Sequence, residues 1–303
     1  MYDIVIIGAG PAGLAAAVYG QRAEKKTLLI DEKGYGGQIV NTPEVENYPA
    51  IQKISGFDFA NTLYQQAADL GAELTFEKAI GIEEKGDIKI VKTEGSEYEA
   101  QTVIIATGAK NRPLGLERED ELTGRGVAYC ATCDGAFYRG KTVAVVGGGN
   151  TALEDAEVLS GLAEKVYLIH RRDTFRGEES NVKRIQQKDN VEILLNKIPT
   201  AFLGKDKITG LEIQDKVSGE NTTLALDGIF VAIGQMPDNK AFEQQIALDE
   251  KGYVDAGEDC LTKTKGIFVA GDCRTKKVRQ LATAVSDGAV AALAAVEYMN
   301  QNK

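Results

Sequence analysis

Short apolar runs rich in β-branched residues alternate with glycine-rich turns and alanine-rich stretches along most of this chain. The clearest runs are Ile4–Ile7, Thr27–Ile30, Thr142–Val146 and Val166–Ile169, and apolar residues follow one another in them without regular polar alternation. Because both faces of a parallel strand are covered in an α/β protein, such continuous runs predict buried parallel strands. The helical stretches after the first and third runs therefore predict two strand–turn–helix units.

Further periodicities predict elements around these two units. They are an amphipathic helix at Gly56–Gly71, short strands between Glu73 and Glu99, buried strands at Thr102–Thr107, Gly228–Gly234 and Gly266–Ala270, a charged helix within Thr174–Lys188, and an alanine-rich helix at Ala284–Met299. The last strand and helix need a sheet to complete, and the first unit is their natural host. The second unit is then an insertion within the first.

The first glycine-rich turn has the pattern G-x-G-x-x-G, formed by Gly8, Gly10 and Gly13 between a strand and a helix. Gly8 permits a tight turn, Gly10 lets the backbone approach a pyrophosphate, and Gly13 lets the helix and strand pack closely. Asp31 ends the second strand about 20 residues later, where an acid holds a ribose hydroxyl. A purely structural turn is the alternative, but strand, helix and acid together favour a dinucleotide site.

The second glycine-rich turn, within Gly147–Ala152, has the pattern G-x-G-x-x-A and lies about 140 residues after the first, as in an internal repeat. Here the second strand ends in His170–Arg172 instead of an acid, and Arg176 follows one turn later. Guanidinium groups match phosphate oxygens, so this arrangement favours the 2'-phosphate of NADPH over the free hydroxyl of NADH. A solvated basic run is the alternative.

Cys130 and Cys133 lie between the two turns in the sequence Cys-Ala-Thr-Cys-Asp. Two cysteines at this spacing can close a disulfide ring, and either thiolate can attack another disulfide. In an α/β protein of the cytosol, an isolated C-x-x-C indicates redox chemistry. The pattern favours electron transfer from one cofactor through another to sulfur. The neighbouring Asp134 either caps a helix or exchanges protons with the thiols.

Composition narrows the class of function. The chain has 303 residues, with 43% hydrophobic and 26% charged, and its formal net charge of −10 argues against general affinity for nucleic acid or anionic membranes. No apolar run approaches the roughly 20 residues that span a bilayer, and no basic region precedes the first apolar run as in a signal peptide. We therefore expect a cytoplasmic protein.

Metal chemistry is not expected. His170 is the only histidine, and Cys260 and Cys273 lie outside any short metal-ligand spacing. Both cysteines are expected to be buried thiols without a role. A redox role for Cys273 stays open because of its place beside Asp272.

The motifs GAGPAG, GGQ, ATG, CATCD, GGGNTALEDA, HRRDTFR and GDCRTKKVRQLATA occur in the order seen in bacterial-type, low-molecular-weight thioredoxin reductases. The chain resembles this family over nearly its whole length. The resemblance implies an α/β fold of two Rossmann-like, three-layer nucleotide-binding domains, with the NADPH domain (residues 113–239) inserted into the FAD domain (residues 1–112 and 240–303). It also implies a homodimer, a thioredoxin or thioredoxin-like partner, and a large rotation of the NADPH domain during turnover.

The resemblance also assigns residues by motif. The FAD site would comprise Gly8, Gly10, Gly13, Asp31, Gln38, Asn47, Asp272, Arg279, Gln280 and Ala282. The NADPH site would comprise Gly147, Gly149, Asn150, Thr151, His170, Arg171, Arg172 and Arg176, although a structural role is equally open for His170. Cys133 would lie next to the flavin, Cys130 would attack the thioredoxin disulfide, and Asp134 would exchange protons. Chemistry alone leaves the order of the two cysteines open.

Other functions compete with this one. The nearest keep the fold and change the electron donor or acceptor: a reductase driven by ferredoxin or flavodoxin, or a flavin-dependent dithiol oxidase. Such relatives tend to lose the second glycine-rich turn or its arginines, and this chain has both. A flavin-bound redox switch would use the cysteines without turnover, whereas a ferredoxin–NADP reductase would not need Cys130 and Cys133.

Overall fold

The computed structural model describes residues 1–42 and 44–302, and the chain folds into two units. Unit 1 comprises Met1–Lys110 and Met236–Lys303, and unit 2 comprises Asn111–Gln235, so unit 2 is an insertion within unit 1. The chain thus crosses between the units after residues 110 and 235. The sequence placed these crossings after residues 112 and 239.

The secondary structure follows the strand–turn–helix pattern. The α-helices are α1 (Pro11–Arg22), α2 (Gly56–Asp69), α3 (Glu119–Leu122), α4 (Ala131–Asp134), α5 (Asn150–Ser160), α6 (Glu179–Gln186) and α7 (Leu281–Gln301). The strands are β1 (Tyr2–Ile7), β2 (Thr27–Ile30), β3 (Glu73–Thr75), β4 (Ala79–Lys85), β5 (Ile88–Thr93), β6 (Glu97–Ile105), β7 (Ala109–Asn111), β8 (Val127–Ala128), β9 (Thr142–Gly147), β10 (Lys165–His170), β11 (Val191–Leu195), β12 (Lys197–Leu203), β13 (Gly210–Asp215), β14 (Asn221–Ala225), β15 (Gly228–Ala232), β16 (Gln235–Pro237) and β17 (Ile267–Val269).

Unit 1 is built on a mixed sheet with the strand order β3-β2-β1-β6-β5-β4, and β17 also pairs with β6. The strands β1, β2, β3, β6 and β17 are parallel, and β4 and β5 add an antiparallel extension. Successive β1 residues point to opposite faces: Ile4 and Ile6 pack against α1 and α7, whereas Val5 and Ile7 pack on the other side. This two-sided burial explains the continuous apolar run in the sequence.

Unit 2 has a parallel sheet with the order β11-β10-β9-β15-β8. One face packs on α5 through Val143 and Val145, and the other packs through Ala144 and Val146 on the antiparallel sheet β12-β13-β14. Unit 2 is therefore a three-layer domain of helix, parallel sheet and antiparallel sheet. The predicted α/β class with parallel sheets is confirmed in both units.

Two predicted elements differ in extent from the observed ones. The predicted strand at Thr102–Thr107 is the second half of the longer strand β6, which pairs first with β5 and then with β17 along one edge. The charged segment Thr174–Lys188 forms a helix only from Glu179, because the chain before it packs as a loop on α5. A Cβ on Gly177 in this loop would lie 2.4 Å from Cδ1 of Leu153.

Helix α7 is, within the described residues, the one helix long and apolar enough by length and composition to cross a membrane. It is not an uninterrupted apolar run, because Ser286, Asp287 and Glu297 lie within it. Its buried residues recur at helical spacing and pack with α1 in the core of unit 1. The two helices cross so closely that a Cβ on Gly288 would lie 2.1 Å from the carbonyl oxygen of Ala12. The buried face of α7 therefore packs in the hydrophobic core of unit 1.

Candidate active site

The first glycine-rich turn joins β1 to α1 and leaves backbone donors open. A Cβ on Gly8, whose φ is +108°, would lie 2.3 Å from the carbonyl oxygen of Ala106, and one on Gly13 would lie 1.9 Å from the carbonyl oxygen of Gly8. In front of Gly10 the nearest non-neighbouring atom is 3.9 Å from such a Cβ. No side chain caps the first turn of α1. The open space and uncapped amides fit a pyrophosphate.

Asp31 lies beside this turn at the end of β2. One carboxylate oxygen accepts the backbone N–H of Ala9 at 2.8 Å, and the other accepts that of Lys33 at 2.9 Å. Each oxygen retains a second lone pair. Asp31 therefore ties the turn to the strand end, and its contact with a ribose stays a prediction.

The loops of unit 1 bring together some of the other residues predicted for the flavin. Asn47 Nδ2 donates to Gln280 Oε1 at 3.3 Å. Gln280 caps α7 in a reciprocal capping box with Thr283, so the helix start fixes its position. Ala282 lies partly buried in the first turn of α7, and Gln38 lies exposed in a 3₁₀ turn after β2.

Asp272 follows β17 and carries an unsatisfied buried oxygen. Its Oδ1 has no hydrogen-bond partner among the described residues. Burial raises the pKa of Asp272, and the charges of Lys276 and Arg279 oppose that shift. The Arg279 guanidinium stacks over the Tyr253 ring at 4.1 Å and its Nε donates to the Asp272 carbonyl oxygen at 3.3 Å. A buried acceptor without a partner fits a ligand hydroxyl.

A buried ion cluster holds the loop that carries Asp272. Asp287 on α7 accepts from Arg274 Nε at 2.8 Å, Arg274 NH2 at 2.9 Å and Lys276 Nζ at 2.9 Å, and also from the Gly271 backbone at 3.0 Å. Arg274 is only 1% exposed. The sequence did not predict this cluster. The one feature of the sequence that indicated this cluster was Asp287, an aspartate within an alanine-rich helix.

The second glycine-rich turn repeats the geometry of the first in unit 2. A Cβ on Gly147 would lie 2.4 Å from the carbonyl oxygen of Ala232, whereas one on Gly149 would meet no atom within 4 Å. No side chain caps α5. Asn150 accepts the Glu178 backbone N–H at 2.7 Å, so the first residue of α5 is tied to the loop before α6.

His170 lies under this turn and supports it. Its side chain is 4% exposed, and a Cβ on Gly148 would lie 2.1 Å from the imidazole ring. The ring stacks on Phe175, and its Nε2 lies 3.0 Å from the Thr174 carbonyl oxygen. Burial lowers the pKa of His170. The structure therefore favours the structural role that the sequence left open, and a contact with NADPH stays a prediction.

Three arginines follow β10 in the loop that leads to α6, and one of them contacts the second turn. The side chains of Arg171, Arg172 and Arg176 are exposed, and within the described chain none is paired with a carboxylate. The Arg176 backbone N–H donates to the Gly148 carbonyl oxygen at 2.7 Å, so this residue is fixed beside the turn. Thr151 is exposed in the first turn of α5. Three unpaired guanidinium groups at this position fit a phosphate.

Cys130 and Cys133 form a disulfide in unit 2, with their Cα atoms 5.3 Å apart. Cys130 directly follows β8 and Tyr129, and its Sγ accepts the Cys133 backbone N–H at 3.2 Å. Strand β8 is parallel to β15 and β9, so the disulfide and the second glycine-rich turn both follow the carboxyl ends of strands in one sheet. This edge is where open α/β sheets bind ligands.

Asp134 ends α4 next to the disulfide and is poised to change protonation. Its Oδ1 is buried and has no hydrogen-bond partner among the described residues. Burial raises the pKa of Asp134 from its ordinary value to about 6. A carboxyl group that titrates near neutral pH beside a disulfide is suited to exchanging protons with thiols.

This raised pKa predicts a stability effect. The folded state favours the protonated form of Asp134. The protonated carboxyl therefore contributes to the stability of the fold below the unfolded pKa near 3.8, and this contribution is lost as the pH rises through about 6. Asp134→Asn should therefore be more stable than the native chain at pH 8, by about 3 kcal/mol. Urea denaturation should show the difference shrinking as the pH falls from 6 towards 4. The exposed control Asp189→Asn should show no such gain, and the same absence in Asp134→Asn would contradict the assignment.

A second buried acid near the disulfide was missed by the sequence analysis. Asp155 on α5 is 9% exposed. Burial raises the pKa of Asp155 to about 7, and the backbone N–H of Ala131, the residue after Cys130, acts to lower its pKa. The available signal was its position, since Asp155 lies within the stripe of α5 residues that also contains the buried Ala152, Ala156 and Leu159.

The other two cysteines lie in unit 1, where both are free and buried. Burial raises the pKa of Cys260 to about 12 and also raises that of Cys273. A thiol with a raised pKa is a poor nucleophile at neutral pH. Within residues 1–42 and 44–302, no group of three or more His, Cys, Asp or Glu side chains is arranged to hold a metal ion.

Comparisons with known proteins agree with this geometry. The chain matches the family described as pyridine nucleotide-disulphide oxidoreductase over residues 2–288. It is 41% identical over 302 residues to a thioredoxin reductase of Bacillus subtilis, covering 99% of this chain and 96% of that protein. It is 41% identical over 309 residues to one of Peptoclostridium acidaminophilum, covering 100% and 98%. The crystal structure of thioredoxin reductase from Streptococcus pyogenes has 39% identity and a TM-score of 0.94, covering 99% of each chain.

Proposed function

The chain belongs to the pyridine nucleotide-disulphide oxidoreductases, and we propose that it is an NADPH-dependent thioredoxin-disulfide reductase. NADPH is the electron donor, a bound FAD would supply an electron pair to the Cys130–Cys133 disulfide, and the reduced pair of cysteines reduces a thioredoxin or thioredoxin-like protein. The observation that carries the proposal is the disulfide beside the buried Asp134, on the same sheet edge as a nucleotide-type turn flanked by unpaired arginines.

Unit 1 supplies the FAD site in this proposal. The residues are those predicted: Gly8, Gly10, Gly13, Asp31, Gln38, Asn47, Asp272, Arg279, Gln280 and Ala282. The open space at Gly10 and the unsatisfied Asp272 oxygen support this choice. When bound, FAD would accept a hydride from NADPH and supply an electron pair to a disulfide.

Unit 2 supplies the NADPH site. The residues are Gly147, Gly149, Asn150, Thr151, Arg171, Arg172 and Arg176, with His170 as support beneath the turn. The uncapped start of α5 offers its amides to the pyrophosphate, and the guanidinium groups hold the 2'-phosphate. A preference for NADPH over NADH follows.

The two cysteines perform the exchange in unit 2. Uptake of an electron pair and a proton breaks their S–S bond and leaves one thiol and one thiolate. The Cys130 thiolate attacks the partner's disulfide, forming a mixed disulfide and releasing a partner thiolate. Cys133 then attacks the Cys130 sulfur, which restores the disulfide of this chain and frees the reduced partner. Asp134 supplies or accepts the proton at each exchange.

The biological setting is also part of the proposal. We expect a homodimer that works in the cytoplasm, without nucleic-acid or membrane partners. The net charge of −10 supports the last point, because anionic surfaces repel a chain of this sign.

The alternative donors and functions are tested by one assay. The purified yellow protein, with a thioredoxin present, should oxidise NADPH continuously and much faster than NADH, and omitting thioredoxin should stop the reaction. Reduced ferredoxin or flavodoxin should not replace NADPH. Thioredoxin reduction with these donors alone would move the chain to the ferredoxin- or flavodoxin-driven class, and flavin binding without turnover would indicate a redox switch.

A further inference from the structure

Glu119, the first residue of α3 in unit 2, has a buried carboxylate that accepts four hydrogen bonds from described residues. Its exposed fraction is 4%. Three donors belong to the loop before it: the backbone N–H groups of Leu114 and Gly115, each at 2.8 Å, and that of Leu116 at 3.4 Å. Gly115 has a φ of +79°, which lets this loop turn its amides towards one acceptor. The loop therefore fixes the Glu119 side chain.

The fourth donor comes from the residue that directly precedes the redox pair. The Tyr129 hydroxyl donates to Glu119 Oε1 at 2.8 Å. Burial raises the pKa of Tyr129, and the hydrogen bond to Glu119 raises it further, so the phenol keeps its proton and remains a donor. Because the carboxylate is already held by its own loop, this hydrogen bond positions Tyr129.

The chain on the two sides of Cys130 is anchored differently. Strand β8 consists of Val127 and Ala128, which pair with β15, and Tyr129 then leads into Cys130. The Tyr129 ring packs against the apolar cluster on the side of the antiparallel sheet. Ala131, on the other side of Cys130, packs in the cluster formed with α5. The position of Cys130 therefore depends on contacts at both faces of the parallel sheet.

Reduction of the disulfide removes a covalent constraint from this turn. With the S–S bond closed, the Cα atoms of Cys130 and Cys133 lie 5.3 Å apart. Two thiols that are held close together re-form a disulfide readily, because proximity raises their effective concentration. The hydrogen bond between Tyr129 and Glu119 does not require the S–S bond, so it can hold the chain before Cys130 in the dithiol as well.

We propose that Glu119 is a positioning residue of the redox pair, which holds Cys130 through the Tyr129 hydroxyl so that the dithiol closes readily. In the proposed function, the same placement lets the Cys133 thiolate attack the Cys130 sulfur of the mixed disulfide, which releases the partner as a thiolate. The inference rests on the proposed function for this meaning, whereas closure of the disulfide itself needs no partner protein.

The test measures closure of the disulfide without NADPH or thioredoxin, so that its failure is separate from failure of the proposed function. The flavin-bound protein is equilibrated without oxygen in mixtures of reduced and oxidised dithiothreitol, in which one disulfide opens as the other closes. Alkylation and mass spectrometry then give the fraction of closed pairs. Tyr129→Phe should lower the equilibrium constant for closure by about fivefold, because the dithiol gains more freedom than the closed ring does.

Two further variants show whether the effect comes from this hydrogen bond. Tyr167→Phe removes the hydroxyl of another tyrosine that packs against the same apolar cluster, and it should leave the equilibrium constant unchanged. In a Glu119→Ala background, Tyr129→Phe should have no further effect, since the acceptor of the hydroxyl is already absent. If Glu119→Ala does not fold, the comparison of the two tyrosine variants decides.

Each outcome decides the matter. A lower equilibrium constant in Tyr129→Phe, with none in Tyr167→Phe, supports the proposal. An unchanged constant in Tyr129→Phe overturns it, and a loss of stability in urea at the same time would make the hydrogen bond merely structural. An equal decrease in Tyr167→Phe would reduce the effect to a general loosening of unit 2 and would overturn it too. A full effect of Tyr129→Phe in the Glu119→Ala background would refute the role of Glu119.

Discussion

Replacing Cys133 by serine should lower the rate of thioredoxin reduction by at least about a thousandfold, because the reacting disulfide can no longer form. The loss should fall on turnover with the protein disulfide. Reduction of the bound flavin by NADPH should persist, since the proposed nucleotide residues of both units are unchanged. Stopped-flow absorbance at the flavin band and a steady-state thioredoxin assay separate the two steps.

The matched control for this variant is Cys260→Ala. Cys260 is a free, buried thiol in unit 1, and removing its sulfur costs packing without touching the redox pair. It should retain most of the thioredoxin activity. Substantial thioredoxin reduction by the Cys133→Ser protein would refute the assignment of Cys130 and Cys133 as the route to the partner.

Removing two of the three arginines should abolish the preference for NADPH. Charge-assisted hydrogen bonds contribute roughly 1.5–3 kcal/mol each, so Arg171→Ala with Arg172→Ala should raise the KM for NADPH by about a hundredfold. The KM for NADH should change little, because NADH lacks the 2'-phosphate. Steady-state kinetics with both nucleotides measure the ratio.

Lys183→Ala is the control for the arginine variant. Lys183 is an exposed cation on α6 that pairs with Glu179, so its removal changes the net charge of unit 2 without removing an arginine at the turn. It should leave the NADPH-to-NADH ratio close to that of the native chain. Equal loss of affinity for NADPH and NADH in the arginine variant would remove the assignment of the 2'-phosphate site.

The parts of the site that could be predicted from the sequence are those set by local rules. Gly8, Gly13 and Gly147 are required by close backbone approaches, and these approaches come from the strand–turn–helix connection itself. The Cys130–Cys133 disulfide was also predictable, because C-x-x-C spacing alone brings two cysteines within reach of each other. The α/β class followed from the continuous apolar runs of strands that are covered on both faces.

The parts that could not be predicted depend on packing between distant segments. The burial of Asp155 depends on the packing of α4 against α5. The ion cluster of Asp287 depends on Arg274 and Lys276, which fold back onto α7. The role of His170 under Gly148 likewise depends on the loop between β10 and α6, which places the Thr174 carbonyl oxygen against the ring. Sequence periodicity shows which face of a helix is buried, but it does not show which charged side chain will meet that face.

The shift in the start of α6 has the same origin. The segment from residue 174 has a helical charge pattern, yet its first part packs as a loop over α5 because Gly177 allows close approach to Leu153. Tertiary contact therefore overrides a weak local preference. The loop carries Arg176, so the deviation from the predicted helix is also what fixes that arginine beside the second turn.

The most direct test of the central claim is an anaerobic titration of the purified yellow protein with NADPH, in the native chain and in Cys133→Ser. A disulfide and a flavin each take up one electron pair. The native chain should therefore consume about two equivalents of NADPH per subunit before the flavin is fully bleached, and Cys133→Ser about one. Added oxidised thioredoxin should restore the yellow colour of the native chain. Failure of NADPH to bleach the flavin, or equal uptake by the two proteins, would contradict the proposed electron path.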